Sequence, residues 1–308
     1  MLATNVLRTP VVCNICGSRD YTVLFGPGSA QINQIVKCNR CGLMYANPRT
    51  EPDHVDIESW PDDPEWDFEQ KYTQRFEKER LQTRDYANTR DLLNRMHPAR
   101  GTLLEVGCSS GSLLQTFQND GWRVLGVEPD KNAARYATTK LGIETINSIL
   151  EHAEIPNQSV DVVVLLHVIE HVPDPVGTLK EIFRVLRPGG HLILETPRYD
   201  SLMFKLLGKR ERSLSCDGHI FFFTTGTLKQ AYEKAGFVLE RLELVGRSLT
   251  LDRLALNVAI MSKIPALGRV LKSISRKLLF HKVNLTINVR DMQRLCVRKP
   301  MEKVATSN

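Results

Sequence analysis

Glu105-Val106-Gly107-Cys108-Ser109-Ser110-Gly111 is the stretch on which the reading of the whole chain turns. It follows Thr102 to Val106, a short apolar run of strand character, and precedes Ser112 to Asn119, whose pattern is helical. Its two glycines let the backbone turn tightly and approach a ligand closely. In a sheet built of alternating strands and helices, the first strand-to-helix turn is where a nucleotide-like ligand binds. A second strand, Arg123 to Val127, runs into Glu128, and a carboxylate at that point can accept both hydroxyls of a ribose. A dinucleotide fingerprint would need Gly-x-Gly-x-x-Gly to offer amides to a pyrophosphate. Here the order is Gly-Cys-Ser-Ser-Gly, and Glu105 just ahead of it would repel pyrophosphate while suiting a cationic amino group.

Outward from this turn the pattern keeps alternating. Asp130 to Lys140 reads as a helix with Asp130 as its N-cap. Val160 to Leu166 is nearly continuous apolar sequence, as expected of a strand buried on both faces. Pro175 to Leu186 reads as a helix, Arg187-Pro188-Gly189-Gly190 as a turn, and His191 to Thr196 as a strand. A helix at Thr227 to Ala235 and strands at Phe237 to Val245 and Asp291 to Arg298 complete the series. Such alternation predicts an α/β fold with a doubly wound, mostly parallel sheet. Upstream, Phe68 to His97 has neither Gly nor Pro and reads as a long helix stopped by Pro98. Residues 48–67 carry Pro48, Pro52, Pro61 and Pro64 and read as a linker.

Residues 8–47 hold two Cys-x-x-Cys pairs, Cys13/Cys16 and Cys38/Cys41, each followed by glycine. Paired knuckles of this kind close a tetrahedral thiolate site for zinc, and four protein ligands make it structural. A segment this small would lean on its metal for stability. The alternative is two redox pairs, but no thioredoxin-like strand and helix pattern surrounds them.

Several motifs in order resemble those of class I S-adenosylmethionine (SAM)-dependent methyltransferases. Glu105 to Gly111 is similar to that family's first motif, and Glu128 to its ribose-binding acid. Ser159-Val160-Asp161-Val162-Val163 resembles the fourth-strand motif, His167-Val168-Ile169-Glu170-His171-Val172 the Glu-His segment of a large bacterial subgroup, and Leu186-Arg187-Pro188-Gly189-Gly190 the family's Leu-x-Pro-Gly-Gly turn. The resemblance implies a seven-stranded Rossmann-like sheet over residues 68–300, with residues 248–290 inserted before the last strand. It implies that Glu105, Gly107, Cys108 and Gly111 hold the methionine end of SAM. Glu128 would take the ribose, Pro129, Ser148 and Ile149 would lie along the adenine, and His167 would stand near the sulfonium. The order of zinc ribbon and methyltransferase resembles bacterial enzymes acting on nucleotide-linked sugars or surface-polysaccharide intermediates.

Methyl transfer to a hydroxyl needs a positioned acceptor and a base, and histidine is the usual base at neutral pH. His171, His167 and His219 are the candidates, with a structural histidine as the competing reading of each. His167 to His171 also spells the His-x-x-Glu-His pattern of a zinc protease. That motif needs a helix, and the buried strand before it and Pro173 and Pro175 after it argue against one.

Net charge is +6 for 308 residues, yet eight Lys or Arg and no acid lie between Arg253 and Arg290, so the rest of the chain is slightly acidic. Within residues 264–282, Ile264, Leu267, Val270, Leu271, Ile274, Leu278 and Leu279 recur at helical spacing opposite Arg269, Lys272, Arg276 and Lys277. This basic amphipathic pattern fits contact with an anionic membrane or a phosphorylated acceptor, or a packing helix with a solvated face. The absence of a long apolar run and of a basic leader, with an odd cysteine count of seven, predicts a cytoplasmic protein, peripheral to the inner membrane surface on the first of those readings. No basic stripe interleaves with aromatics, so no nucleic acid is expected. The acceptor stays open: a nucleotide-sugar or polysaccharide intermediate leads, a quinone- or lipid-type O-methyl acceptor is the alternative. A non-catalytic SAM-binding scaffold or an RNA-associated protein, using the ribbon for partner contact, is the rival from another class.

Overall fold

The computed structural model describes residues 9–26, 34–49, 86–211, 214, 218–250 and 284–301. Its main sheet is assembled around β7 (Val160–Leu166), whose run of branched and aliphatic residues is buried almost throughout. β4 (Thr102–Val106), β5 (Arg123–Val127) and β6 (Thr145–Ile146) lie in parallel on one side of it. β8 (Leu186–Pro197) lies parallel on the other side, followed by β11 (Asn284–Arg298) and β10 (Val238–Thr250). The order is β10-β11-β8-β7-β4-β5-β6, with β11 antiparallel to both neighbours. This is the seven-stranded, mostly parallel α/β sheet expected.

Helices α1 (Ala87–Met96), α2 (Ser112–Asn119), α3 (Lys131–Leu141), α4 (Pro175–Val185) and α6 (Thr225–Lys234) accompany it, with a short α5 (Leu202–Leu207). Local chemistry fixes their ends. Asp130 caps α3 by accepting from the amides of Asn132 and Ala133, and Gly142 ends it in the left-handed conformation. Thr224 and Thr227 form a reciprocal capping box on α6. Pro175 opens α4, where its missing N–H costs nothing.

Three boundaries differ from the sequence reading. The Arg187-Pro188-Gly189-Gly190 turn is a bulge inside β8: Leu186 pairs with Val160, His191 with Val162, and the residues between them loop out. Gly189 takes φ +81°, and a Cβ on Gly190 would stand 2.9 Å from two carbonyl oxygens. β10 and β11 run further than expected, because beyond Pro197 they pair only with each other. Met292 faces Pro197, so this two-stranded arm continues past the carboxyl edge of the parallel strands. Of the long helix expected from Phe68, only α1 lies within the described residues; most of residues 48–67 and the basic stretch 264–282 lie outside them.

The N-terminal segment forms a second antiparallel sheet, β1 (Tyr21–Phe25), β2 (Ile35–Cys38) and β3 (Met44–Ala46). Its fourth strand, β9 (Phe221–Phe222), comes from far along the chain, between β8 and β10. Val11, Val36, Leu43 and Tyr45 share one apolar core with Leu165, Ile169, Leu179 and Phe221. The small segment therefore buries its apolar side chains against the main body. Among the described residues no helix is long and apolar enough to cross a membrane.

Candidate active site and metal centre

The strands β4, β5, β7 and β8 end at one edge, and the expected site residues gather there. Gly107 and Gly111 both take positive φ, +73° and +79°. Between them Ser109, a non-glycine, sits at φ 51°. Its amide donates to Glu128 Oε2 at 2.7 Å, and the amide of Asp130 donates to Glu128 Oε1 at 3.0 Å. The amides of Gly107 and Cys108 both point to the carbonyl of Val127. The turn after β4 is thus folded onto the end of β5, and Glu128 is oriented from both sides.

Glu105 and Glu128 are both buried at this edge. Their proximity is felt by Cys108, whose thiol is pushed well above its usual range by burial and then by the charges of Glu105 and Glu128. Cys108 is a buried, packed thiol: its Sγ would lie 2.6 Å from a Cβ on Gly126. Gly126 is a residue the sequence reading passed over, and its role is to make room for that sulfur. Asn147 is another. Its Nδ2 donates to the carbonyls of Glu128 and Pro129, both at 2.9 Å, which ties the chain just ahead of Ser148 and Ile149 to the segment that follows β5. Two buried carboxylates suit a ligand that carries an ammonium, a sulfonium and ribose hydroxyls, so the residues present fit SAM.

Across the edge, His167 also has positive φ, 56°. Its Nδ1 lies 3.5 Å from Glu170 Oε1 and its Nε2 3.3 Å from Glu195 Oε1. Glu195 is held in addition by Arg294, 2.7 Å away, and by the Tyr86 hydroxyl at 3.0 Å. Thr196 donates to Glu170 Oε2 at 2.9 Å. Both carboxyls are almost wholly buried, which raises their pKa. Hydrogen bonding and charge more than offset this and hold each at about 2, from His167, His171 and His219 at Glu170 and from His167 and Arg294 at Glu195.

His171 and His219 come from different loops and meet edge to face, with ring centroids 4.6 Å apart. His171 Nδ1 lies 2.8 Å from the carbonyl oxygen of Gly218, and Tyr199 Oη lies 3.5 Å from His219 Nδ1. Glu170, His171 and His219 each bring one nitrogen or oxygen to within 4.8 Å of the others, a convergence able to share a proton or surround a cation.

The four cysteines converge as their spacing predicts. Cys13 Sγ is 3.4 Å from Cys41 Sγ, and Cys16 Sγ is 3.5 Å from Cys38 Sγ, with all four within 4.8 Å of one another. These are not disulfides. A tetrahedron of sulfurs around zinc, at about 2.3 Å from the metal, has edges of about 3.8 Å. The donor set therefore fits Zn2+. Gly17 and Gly42 adopt positive φ and return their amides to the carbonyls of Cys13 and Cys38, closing each knuckle. Burial pushes the Cys13 thiol to about 11 and also raises Cys41. Burial raises Cys38 too, but the amides of Cys41 and Arg40 together with the Cys16 and Cys41 thiols more than offset it and pull Cys38 to about 7.

Known proteins agree with this architecture. The chain is 31% identical over 117 residues to a ubiquinone biosynthesis O-methyltransferase of Aliivibrio fischeri, covering 35% of this chain and 50% of that one. It is 32% identical over 114 residues to the same-named protein of Vibrio cholerae, covering 34% and 46%. The chain thus spans about half the length of the curated relatives it matches. A Haloferax volcanii structure, of a complex between the Trm112 methyltransferase activator and a candidate methyltransferase, shares the fold. The match covers 75% of this chain and 96% of that one, at 17% identity and a TM-score of 0.51. A family model described as a methyltransferase domain matches residues 76–242, more than half of the sequence. With that match laid over the Glu105 to Gly111 turn and Glu128, the chain belongs to the methyltransferase domain family.

Proposed function

We propose that the chain transfers the methyl group to a hydroxyl held at the carboxyl edge of the sheet, with His171 taking the hydroxyl proton. The observation that carries this is the 2.8 Å contact between His171 Nδ1 and the Gly218 carbonyl. A carbonyl oxygen only accepts, so Nδ1 holds a hydrogen, and in the neutral imidazole the lone pair is on Nε2. His219 beside it is the second candidate. His167 differs, since both its ring nitrogens face buried carboxylates, Nδ1 towards Glu170 and Nε2 towards Glu195; its part is to sit between those two groups.

SAM, once bound, supplies a methyl group on a positively charged sulfur. Glu105, Gly107, Cys108 and Gly111 would hold its methionine end, Glu128 its ribose, and Pro129, Ser148 and Ile149 its adenine. The chain's remaining tasks are to hold the acceptor in line and to remove its proton.

Two acceptor classes are in view. The names of the O-methyltransferase relatives favour a phenolic hydroxyl of the quinol type. The ribbon ahead of the enzyme favours a nucleotide-sugar or carrier-linked sugar. Both accommodate the basic stretch between β10 and β11, which suits an anionic headgroup or an anionic membrane surface. The test is release of S-adenosylhomocysteine with catechol-type quinols, nucleotide-sugars and lipid-linked sugars. Turnover by the wild type should fall about 10²- to 10⁴-fold in His171→Gln with SAM affinity unchanged. Undiminished turnover by the variant rejects His171 as the base. SAM binding without turnover on any acceptor favours the scaffold reading. Flotation with anionic liposomes tests the membrane contact, and failure to float removes it.

A further inference from the structure

The four-cysteine knuckle is tied to both loops that carry the acceptor-side histidines. Asn14, between Cys13 and Cys16, donates from Nδ2 to the carbonyl of Pro173 at 3.2 Å. The same carbonyl accepts from Arg49 Nη2 at 3.0 Å. Pro173 stands two residues after His171. Arg49 Nη2 also reaches Asn14 Oδ1 at 3.3 Å, and its guanidinium lies 4.9 Å over the ring of Phe221.

Phe221 belongs to the second loop, two residues after His219. There β3 pairs Tyr45 with Phe221 and Met44 with Phe222, and the Ala46 amide donates to the Ile220 carbonyl at 2.8 Å. The amides of Ile220 and Phe221 both donate to the carbonyl of Glu170, which closes one loop onto the other. From the opposite direction, Lys234 Nζ reaches the carbonyl of Ile15 and Gln230 Nε2 that of Cys41, both inside the knuckle. The SAM-side turn is organised by different contacts, those of Ser109 with Glu128 and of Gly107 with Val127.

We infer that the four-cysteine centre is a positioning element of the acceptor side, and that Arg49 is the residue through which it acts on the His171 and His219 loops. Metal at the four sulfurs fixes Asn14 and the Cys41 carbonyl. Arg49 passes that rigidity to Pro173 and Phe221, so the spacing of the two histidines depends on the loaded knuckle. That the two histidines serve the acceptor rests on the proposed function; the mechanical coupling does not.

The test uses amide exchange and histidine NMR on the full chain, neither of which needs an acceptor. Stripping zinc with a chelator should speed exchange of Ile220 and Phe221 at least tenfold while Leu104 and Leu125 change less than twofold. Arg49→Met should keep one zinc per chain, reproduce that local acceleration, and displace the imidazole resonances of His171 and His219. The resonances of His97 and His191, a contacting pair at the other edge of the sheet, should stay fixed, and Arg49→Lys should restore most of the protection. Unchanged exchange at Ile220 and Phe221 in either experiment, or an equal rise throughout the sheet, overturns the inference. If the coupling holds while His171→Gln keeps full turnover, the proposed base has failed and the positioning role has not.

Discussion

Glu128 Oε2 accepts a hydrogen bond from the amide of Ser109 at 2.7 Å, so the carboxylate that would hold the ribose also pins the glycine turn. Ser109 sits at φ 51°, a conformation a non-glycine residue holds only when its surroundings fix it. Replacing Glu128 therefore removes a ligand contact and a loop anchor together. Glu128→Ala should weaken SAM binding by about 100-fold or more, since bonds to a charged group contribute about 1.5–3 kcal/mol each. Titration calorimetry reads this directly. An affinity within threefold of the wild type would show that Glu128 is not at the ligand.

Glycines 107 and 142 separate packing from backbone strain. A Cβ on Gly107 would lie 2.5 Å from Val168 Cγ2 at φ +73°, whereas one on Gly142 meets nothing within 4 Å at φ +66°. Gly142→Ala should cost only the left-handed penalty, about 1–2 kcal/mol. Gly107→Ala adds overpacking and should cost about 2–5 kcal/mol. Urea unfolding of the two variants tests the difference, and equal losses would refute it.

Acid should weaken the fold through Glu170 and Glu195. Each is held at about 2 in the folded chain against 4.5 as the ordinary value. A depressed carboxyl contributes stability that is fully present above about 4.5 and lost as pH falls toward 2. Glu195→Gln should be less stable at pH 7, because it leaves Arg294 and His167 without that carboxylate, and should lose less on acidification. Denaturation curves between pH 7 and 2.5 check this; parallel profiles for variant and wild type would exclude it.

Cys108 and Cys296 should resist alkylation in the native protein at pH 8. Burial and two carboxylates raise Cys108 well above its usual range. Burial, with Glu240 close by, brings Cys296 to about 12. At that value about one thiol in 10⁴ is ionised at pH 8, and the thiolate is the reactive form. Mass spectrometry after brief iodoacetamide treatment should find both unmodified until the chain is unfolded.

Much of the site was legible from local chemistry. Gly107 and Gly111 announce a backbone that must turn left-handed, and the paired Cys-x-x-Cys-Gly knuckles announce converging sulfurs. Gly126 was not legible, because its reason lies in Cys108 beyond the end of the neighbouring strand. Nor was the bulge at 187–190, since a turn sequence does not say whether the ladder resumes beyond it. Asn147 could have been suspected, as an amide side chain after a short strand at the sheet's ligand edge.

What the sequence by itself determined is whatever depends on neighbours along the chain: the alternation of strands and helices, the turn at 105–111, the capping of α3 by Asp130 and the pairing of cysteines into knuckles. These follow from backbone sterics and short-range hydrogen bonds. The tertiary structure alone decided which histidine faces what. His167 is drawn between Glu170 and Glu195, His171 is turned onto Gly218, and the N-terminal sheet is stitched to the main body by Phe221 and Phe222. Most of these partners are far apart in the chain: His171 and Gly218 are separated by 47 positions, and Tyr45 and Phe221 by many more. Only the closure of the sheet and the shared apolar core supplies the burial that brings them into contact.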